Sequence, residues 1–369
     1  MPWWSKQMFY WISESWTCRD IWHMVFTINS RLYSIAKHVW LCCIIPIISF
    51  ACAREEVDLL KSFDDAKKLS PDMTVEGIID SEPFGFAVRD SIAFFYSSMM
   101  GEDQLLAVNM NDNKRYTALK IGRGPGEAIH VNSIALSGDT LNVEAEPEMT
   151  LQYRFDRIPE TLLKPFNVIE HPGVLGRGEM TAFLHNYDDP ENSTMYASIP
   201  RNDSTVVFWG KFPEGDKMEY PAFDESKQTA YQGHLVISPD CTKAVFVFYY
   251  AIGFDVLDLG EHTVRHFFWK HPQVNIQYID MLSVNLVKGT DGWQRGFCDA
   301  GVTDKHIYLL YKNTDASFVL VYDWDGEPVK AYSFEEEVIK IFVEPTGTKL
   351  YTLSIDENYE CDLNIYTRV

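Results

Sequence analysis

Ser238-Pro239-Asp240-Cys241-Thr242-Lys243 and Glu344-Pro345-Thr346-Gly347-Thr348-Lys349 share one pattern, x-Pro-x-x-Thr-Lys. Each stands directly before a run rich in β-branched and aromatic residues, Lys243–Phe248 and Lys349–Leu353. Proline presets φ for a tight turn, and the lysine opens the strand that follows. Ser137-Gly138-Asp139-Thr140 and Thr303-Asp304-Lys305 fill the same slot ahead of Thr140–Glu144 and His306–Tyr311. The strand opened in this way starts on an apolar residue in every unit: Ile92, Leu141, Met195, Val245, Ile307 and Leu350, at intervals of 49, 54, 50, 62 and 43. A recurrence of about fifty residues is that of a four-stranded propeller blade. Six starts predict an all-β fold, a six-bladed β-propeller with four-stranded blades over residues 73–369.

The rest of that span agrees. Ser91–Phe95 reads as a strand, and Asp325-Gly326 between Ser317–Tyr322 and Glu327–Phe334 is a hairpin signal. The last unit offers Ile339–Val343, Lys349–Leu353 and Leu363–Thr367, then the chain stops one strand short. Thr74–Asp80 is an extra strand ahead of the first unit. Pairing it with the last unit would close the ring and cover two edges.

Residues 1–51 read as a signal or leader segment. Arg31, Lys37 and His38 precede an apolar run, Val39 to Ala51, which is too short to span a bilayer comfortably. Cys52 follows the small Ala51 and is a candidate for lipidation. Ser49 and Phe50 stand where a lipobox usually has leucine and a small residue. Starting at Met24 would give a leader of ordinary length. Residues 52–72, charged and closed by Pro71, read as a tether.

Lysine plus arginine number 32 against 53 aspartates and glutamates, a net charge of -21. Such a surface repels phosphate backbones, so nucleic acid is discounted as a partner. The hydrophobic share of 46% permits a large core. Seven cysteines include no Cys-x-x-Cys pair, so no zinc knuckle or redox motif is expected.

The most specific local motif is Ile121-Gly122-Arg123-Gly124-Pro125-Gly126-Glu127. A phosphate loop would continue Gly-Lys-Ser/Thr into a helix, but Ala128-Ile129-His130-Val131 follows and is strand-like. Leu175-Gly176-Arg177-Gly178-Glu179, Gln232-Gly233-His234 and Gln294-Arg295-Gly296-Phe297 occupy the same slot before the first strand of later units. First strands line the channel of a propeller, so these loops would gather at one mouth. Two readings stand. Glycine allows the sharp turn and arginine pairs with neighbouring acids. Alternatively Arg123, Arg177, His234 and Arg295 form a cationic rim for a carboxylate, sulfate or uronate, which guanidinium grips through two parallel hydrogen bonds.

The Gly-Arg-Gly-Pro-Gly-Glu motif, the leader ending at Cys52 and hairpins such as Val321-Tyr322-Asp323-Trp324-Asp325-Gly326 resemble the TolB-like six-bladed propeller lipoproteins of Bacteroides and relatives. The resemblance implies a six-bladed fold and an envelope location. It carries over no catalytic residue.

Catalytic signatures are sparse. There is no Gly-x-Ser-x-Gly and no His-Glu-x-x-His. His262 and His266 fall on one face of a strand and read as surface or packing residues. Asp323, Asp325 and Gly326 read as a turn rather than a calcium loop. Phe246, Phe248, Tyr249, Tyr250, Phe267, Phe268 and Trp269 suit inter-blade packing, or stacking on sugar rings. The expectation is a non-catalytic ligand- or partner-binding envelope lipoprotein without cofactor or metal. Its partner would be an anionic small molecule, a glycan or an envelope protein, and its membrane contact a lipid anchor. The alternatives are an enzyme acting on glycans or peptides at the channel mouth, and an envelope-assembly partner with an exposed apolar face. The location expected is the outer membrane, with surface exposure open.

Overall fold

The computed structural model describes residues 57–369 apart from 98–101, 125, 138, 147–148, 155–164, 166, 171–179, 182–193, 201–206, 220–225, 280–283, 291–292, 314–315, 357–358 and 368. Leader, Cys52 and Arg177 lie outside the described residues. Two strands precede the repeats, β1 (Ala66–Lys68) and β2 (Met73–Ile79). The first repeat forms an antiparallel sheet of β3 (Gly85–Arg89), β4 (Ile92–Tyr96), β5 (Asp103–Asn109) and β6 (Lys114–Lys120). The second has β7 (His130–Ser137), β8 (Thr140–Glu146), β9 (Met149–Arg154) and β10 (Asn167–Glu170). A three-stranded sheet follows, β11 (Met180–Thr181), β12 (Thr194–Pro200) and β13 (Val207–Lys211). After a short helix α1 (Ser226–Ala230) comes a sheet of β14 (Gly233–Ile237), β15 (Lys243–Phe248), β16 (Ile252–Asp258) and β17 (Thr263–Lys270). The hairpin β18 (Val274–Ile279) and β19 (Val284–Gly289) is inserted next. The chain ends with β20 (Phe297–Val302), β21 (His306–Lys312), β22 (Ser317–Asp323) and β23 (Pro328–Phe334), then β24 (Val338–Val343), β25 (Lys349–Ile355) and β26 (Cys361–Thr367).

The molecule is an all-β propeller with almost no helix. Its first strands run side by side around the axis, β14 against β20, β20 against β24, β24 against β3 and β3 against β7. One expectation needs correcting. Six complete blades were expected, and the described residues form five sheets with the full four strands. The unit counted from Met195 supplies the three-stranded sheet instead, with Met195 on its central strand.

The turns that decided the repeat are superposable in their bonding. Ser238 N–H donates to Lys243 O (2.9 Å) and Cys241 N–H to Ser238 O (2.9 Å); Glu344 N–H donates to Lys349 O (3.0 Å) and Gly347 N–H to Glu344 O (2.7 Å). Cys241 and Gly347 hold the same place, and both have positive φ, 60° and 72°. The 62-residue interval before Ile307 is lengthened by the β18–β19 hairpin.

Strand β2 pairs antiparallel with β26, placing Met73 opposite Ile365 and completing the last sheet with a strand from the N-terminal end. Asp72 adds to the closure, its Oδ2 accepting from Thr367 N–H and Oγ1 (2.7 Å each). The stretch read as a tether is partly built into the propeller. Strand β1 pairs in parallel with β23, and Leu59, 1% exposed, sits in the core between the β14–β17 and β20–β23 sheets. Val57, Leu60 and Phe63 pack against the same core. Phe246 and Phe248 follow the packing reading, both being buried, and Phe254 stacks on Phe267 at 5.0 Å.

Candidate functional site

First strands begin at one end of the axis, and the hairpins between second and third strands lie at the same end, because Gly233 pairs with Phe248 and Gly85 with Tyr96. Side chains from four sheets converge there. His234 on β14 lies 3.5 Å from Asp299 on β20, Nε2 to Oδ1, with side chains 23% and 15% exposed. Tyr249, in the β15–β16 hairpin, stacks on His234 with ring centroids 5.8 Å apart. Asp299 Oδ2 accepts from the N–H of Ile341 on β24 (2.8 Å). Tyr96, at the end of β4, donates to Asn132 O (3.2 Å). Gly85 leaves room for its ring, since a Cβ there would lie 2.7 Å from it. Phe84 meets the ring of His130 edge-on at 5.5 Å.

Charge ties the cluster together. Burial raises Tyr96, and Asp299 raises it further. Burial and Asp299 push Tyr249 up to about 12, with Arg295 opposing. Burial raises Tyr250 to about 12, again with Arg295 opposing. Burial pushes His234 below its usual 6.5; Asp299 opposes this, and Lys340 adds to it. His234 is therefore neutral at pH 7, and its Nε2 is buried without a well-formed hydrogen bond.

This gives a pH prediction. The unfolded chain binds a proton at His234 more readily than the native one, so stability rises with pH up to 6.5 and is lost as pH falls below it. Urea midpoints at pH 5.5 and 7.5 should differ less in His234→Gln than in the parent. An unchanged difference would mean His234 is not held neutral.

The structure brings His234 and Arg295 together at this mouth. Arg123 is exposed on the neighbouring loop between β6 and β7. That loop explains its own glycines. Glu127 folds over it, its Oε2 accepting from Gly124 N–H (2.8 Å). A Cβ on Gly122 would lie 2.0 Å from that carboxylate, and Gly126 has φ 78°. Buried Gln104 staples the loop to β7, donating to Ala128 O (2.7 Å) and accepting from Val131 N–H (3.1 Å). The Arg295 loop is equally tight, because a Cβ on Gly296 would fall 2.0 Å from Ala251 O.

Sequence reasoning missed Asp299, Tyr96 and Lys340. The available signal for Asp299 was a carboxylate in the middle of an apolar strand, Phe-Cys-Asp-Ala-Gly-Val. The same signal marks Asp255 on β16, 0% exposed. Asp255 accepts from Tyr196 on β12 and pairs with His266 Nδ1 on β17 (2.8 Å). His266 therefore belongs to a buried network rather than to the surface. His262 has positive φ, 53°, and packs on Trp209 at 5.5 Å. Asp323 Oδ1 accepts from Asp325 N–H and Glu327 N–H (2.9 Å each), which makes that segment a turn. Among the described residues, no group of three His, Cys, Asp or Glu is placed to hold a metal, and no helix is long and apolar enough to cross a membrane.

The fold and mouth define a β-propeller with a polar, aromatic-lined opening. No family model matches the chain, and no curated protein matches it. Among solved structures it is similar to the β-propeller domain of Cps50 (Swd1) from Myceliophteria thermophila (10% identity, 80% of this chain and 100% of that one, TM-score 0.39). It is also similar to the WD40 repeats of RRP9 (10% identity, 82% and 99%, TM-score 0.46). A third is regucalcin, a calcium-binding protein from Agrobacterium tumefaciens (12% identity, 82% and 96%, TM-score 0.44). At these scores the likenesses transfer neither activity nor partner to this chain.

Proposed function

We propose that the protein is a non-catalytic binding propeller of the TolB-like lipoprotein kind, tethered to the outer membrane through an acylated Cys52. Its ligand would meet the mouth where the first strands begin. The observation that carries the reading is the convergence of Tyr96, Tyr249 and Tyr250 with Arg295 and Lys340 around the His234–Asp299 pair. Tyrosine rings offer flat apolar faces, and the cations offer charge to an anion. Asp299 is already engaged by Ile341 N–H and faces His234, an arrangement that favours a structural role over proton transfer. A sugar acid or another carboxylated ring compound fits these features, because it presents a face and a charge together.

A catalytic reading has one observation in its favour, the neutral His234 beside Asp299, which resembles a general base with its orienting carboxylate. One experiment separates the two. An array of uronate-containing, sulfated and neutral oligosaccharides should show retention of the anionic members, and mass spectrometry of the bound sugars should show them intact. Cleaved products would establish the enzyme reading. Retention of neutral sugars alone would sink the cationic mouth. The anchor is tested separately, by intact mass of the membrane-derived chain and of Cys52→Ala.

A further inference from the structure

Away from the mouth, where first strands end, a group of cations lies at the edge of the interface between the last two sheets. Tyr308 on β21, Val321 on β22 and Tyr332 on β23 pack there against Val343, Leu350 and Tyr366 of the last sheet. Val321 stands opposite both Tyr308 and Lys330 in register, so Lys330 shares their face. Side-chain alternation places His306, two residues before Tyr308, on that face as well. The His306 and Tyr308 rings are 6.4 Å apart, and Lys330 Nζ is 5.2 Å from the centre of the Tyr332 ring. Strand β1 adds Lys67, opposite Tyr332 in the parallel register. Exposed Lys305 directly precedes His306. Gly347, in the turn between β24 and β25, borders the same edge: a Cβ there would stand 3.8 Å from the Tyr308 hydroxyl.

The charge balance here is unusual. With 53 acids for 32 lysines and arginines, a lysine of this chain has carboxylates in excess to pair with. Lys68 does so, with Glu335. Among the described residues, Lys67, Lys305 and Lys330 form no ion pair, and the Tyr308 and Tyr332 hydroxyls have no hydrogen-bond partner. Burial holds Lys330 below its ordinary value, and Lys67 lowers it further. Burial also lowers His306; Lys330 adds to this, Asp323 opposes, and Lys305 adds a smaller push. Asp323 stands opposite His306, but its Oδ1 already accepts from Asp325 N–H and Glu327 N–H (2.9 Å each). Asp304 and Glu327 are exposed in the adjoining turns. Like charges held side by side cost stability unless an anion joins them.

We propose that this edge is a second binding site, for a tetrahedral oxyanion, the phosphate or sulfate group of a small ester. Lys67, Lys305 and Lys330 supply the charge, and the hydroxyls of Tyr308 and Tyr332 donate hydrogen bonds. Lysine meets such a group as a point charge, whereas a planar carboxylate is the better match for a guanidinium such as Arg295 at the mouth. The net charge of -21 repels polyanions, which limits the occupant to one small charged group. The site lies at the other end of the propeller from the mouth and does not depend on what the mouth binds.

The test is calorimetric titration of inorganic phosphate and inorganic sulfate, at constant ionic strength, into the parent protein, Lys330→Gln, Lys67→Gln and Arg295→Ala. Saturable binding by the parent is expected, weakened about tenfold or more in Lys330→Gln and Lys67→Gln and unchanged in Arg295→Ala. Glucose 6-phosphate and glucose 6-sulfate, titrated in the same way, separate the two sources. Tighter binding of the first assigns a phosphate ester, and tighter binding of the second a sulfated sugar. Lys67 is exposed, so its variant keeps the test open should Lys330→Gln fold poorly. Without added anion and at low salt, Lys67→Gln should have a higher urea midpoint than the parent, because a like-charge contact is relieved. No saturable binding of either ion by the parent, parental affinity in both lysine variants, or binding lost in Arg295→Ala alone would overturn the site.

Discussion

Asp255→Ala should lower the stability of the propeller by about 3–5 kcal/mol, the cost of removing one member of a buried charge pair. The carboxylate is inaccessible and joins three strands, with Tyr196 on β12, Asp255 itself on β16 and His266 on β17. It thereby fastens the three-stranded sheet to its complete neighbour. Burial alone would lower His266, but its hydrogen bond and charge contact with Asp255, together with a bond to the Lys211 backbone, outweigh that and raise it. Burial raises Asp255 itself. The His266 contribution has a definite sign: it is fully present below 6.5 and is lost as pH rises through the elevated native value. The alanine variant should therefore show a smaller fall in urea midpoint above pH 6.5 than the parent. Asp255→Asn keeps an acceptor for Tyr196 and should recover part of the loss. A cost under about 1 kcal/mol, the scale of an exposed pair such as Arg265–Asp325, would show that the network does not hold the sheets together.

Leu59→Ala should cost about 2–5 kcal/mol, as for other leucines in well-packed cores. A tether hanging free of the domain would lose nothing. Leu59 lies among Val245, Phe254, Ile307 and Tyr322, side chains from both neighbouring sheets, and Phe63 meets the ring of Tyr322 edge-on at 5.4 Å. Denaturant titration of the variant, with a parallel measurement on exposed Lys61→Ala as a control, separates the two cases. A shift no larger than that of the control would mean the segment is not part of the folded core.

These two sites show what the sequence makes legible and where it falls silent. Repeated turns and apolar strand starts are local signals with a fixed period. Accordingly Ile92, Leu141, Val245, Ile307 and Leu350 all mark second strands of full sheets. Closure by β2 was readable because the last unit ends a strand early. Counting by period fails where one apolar residue stands for a whole blade. The stretch before Met195, Tyr187-Asp188-Asp189-Pro190-Glu191-Asn192-Ser193, has no alternation to define a strand. The docking of Leu59 was hidden because Leu59-Leu60-Lys61-Ser62-Phe63 is short and flanked by charge, and its burial depends on residues far away in the chain.

The mouth follows the same division. His234, Arg123 and Arg295 could be picked out because they recur in one slot of the repeat. Tyr96, Asp299 and Lys340 could not, since their meeting depends on which sheets become neighbours. The two acids of the strands nevertheless left one trace, an aspartate within an apolar run. Asp255 and Asp299 carry it equally, and only the geometry separates the buried fastening from the mouth.

The most direct test of the binding mouth is calorimetric titration of a glucuronate-containing oligosaccharide into the parent protein, Arg295→Ala and Arg265→Ala. Arg265 is exposed and pairs with Asp325 in a hairpin at the opposite end of the propeller. Loss of a charge-assisted contact is expected to weaken binding about tenfold or more in Arg295→Ala, with Arg265→Ala binding like the parent. Equal affinity in all three proteins, or no binding by the parent, would contradict an anion-binding site at the mouth where the first strands begin.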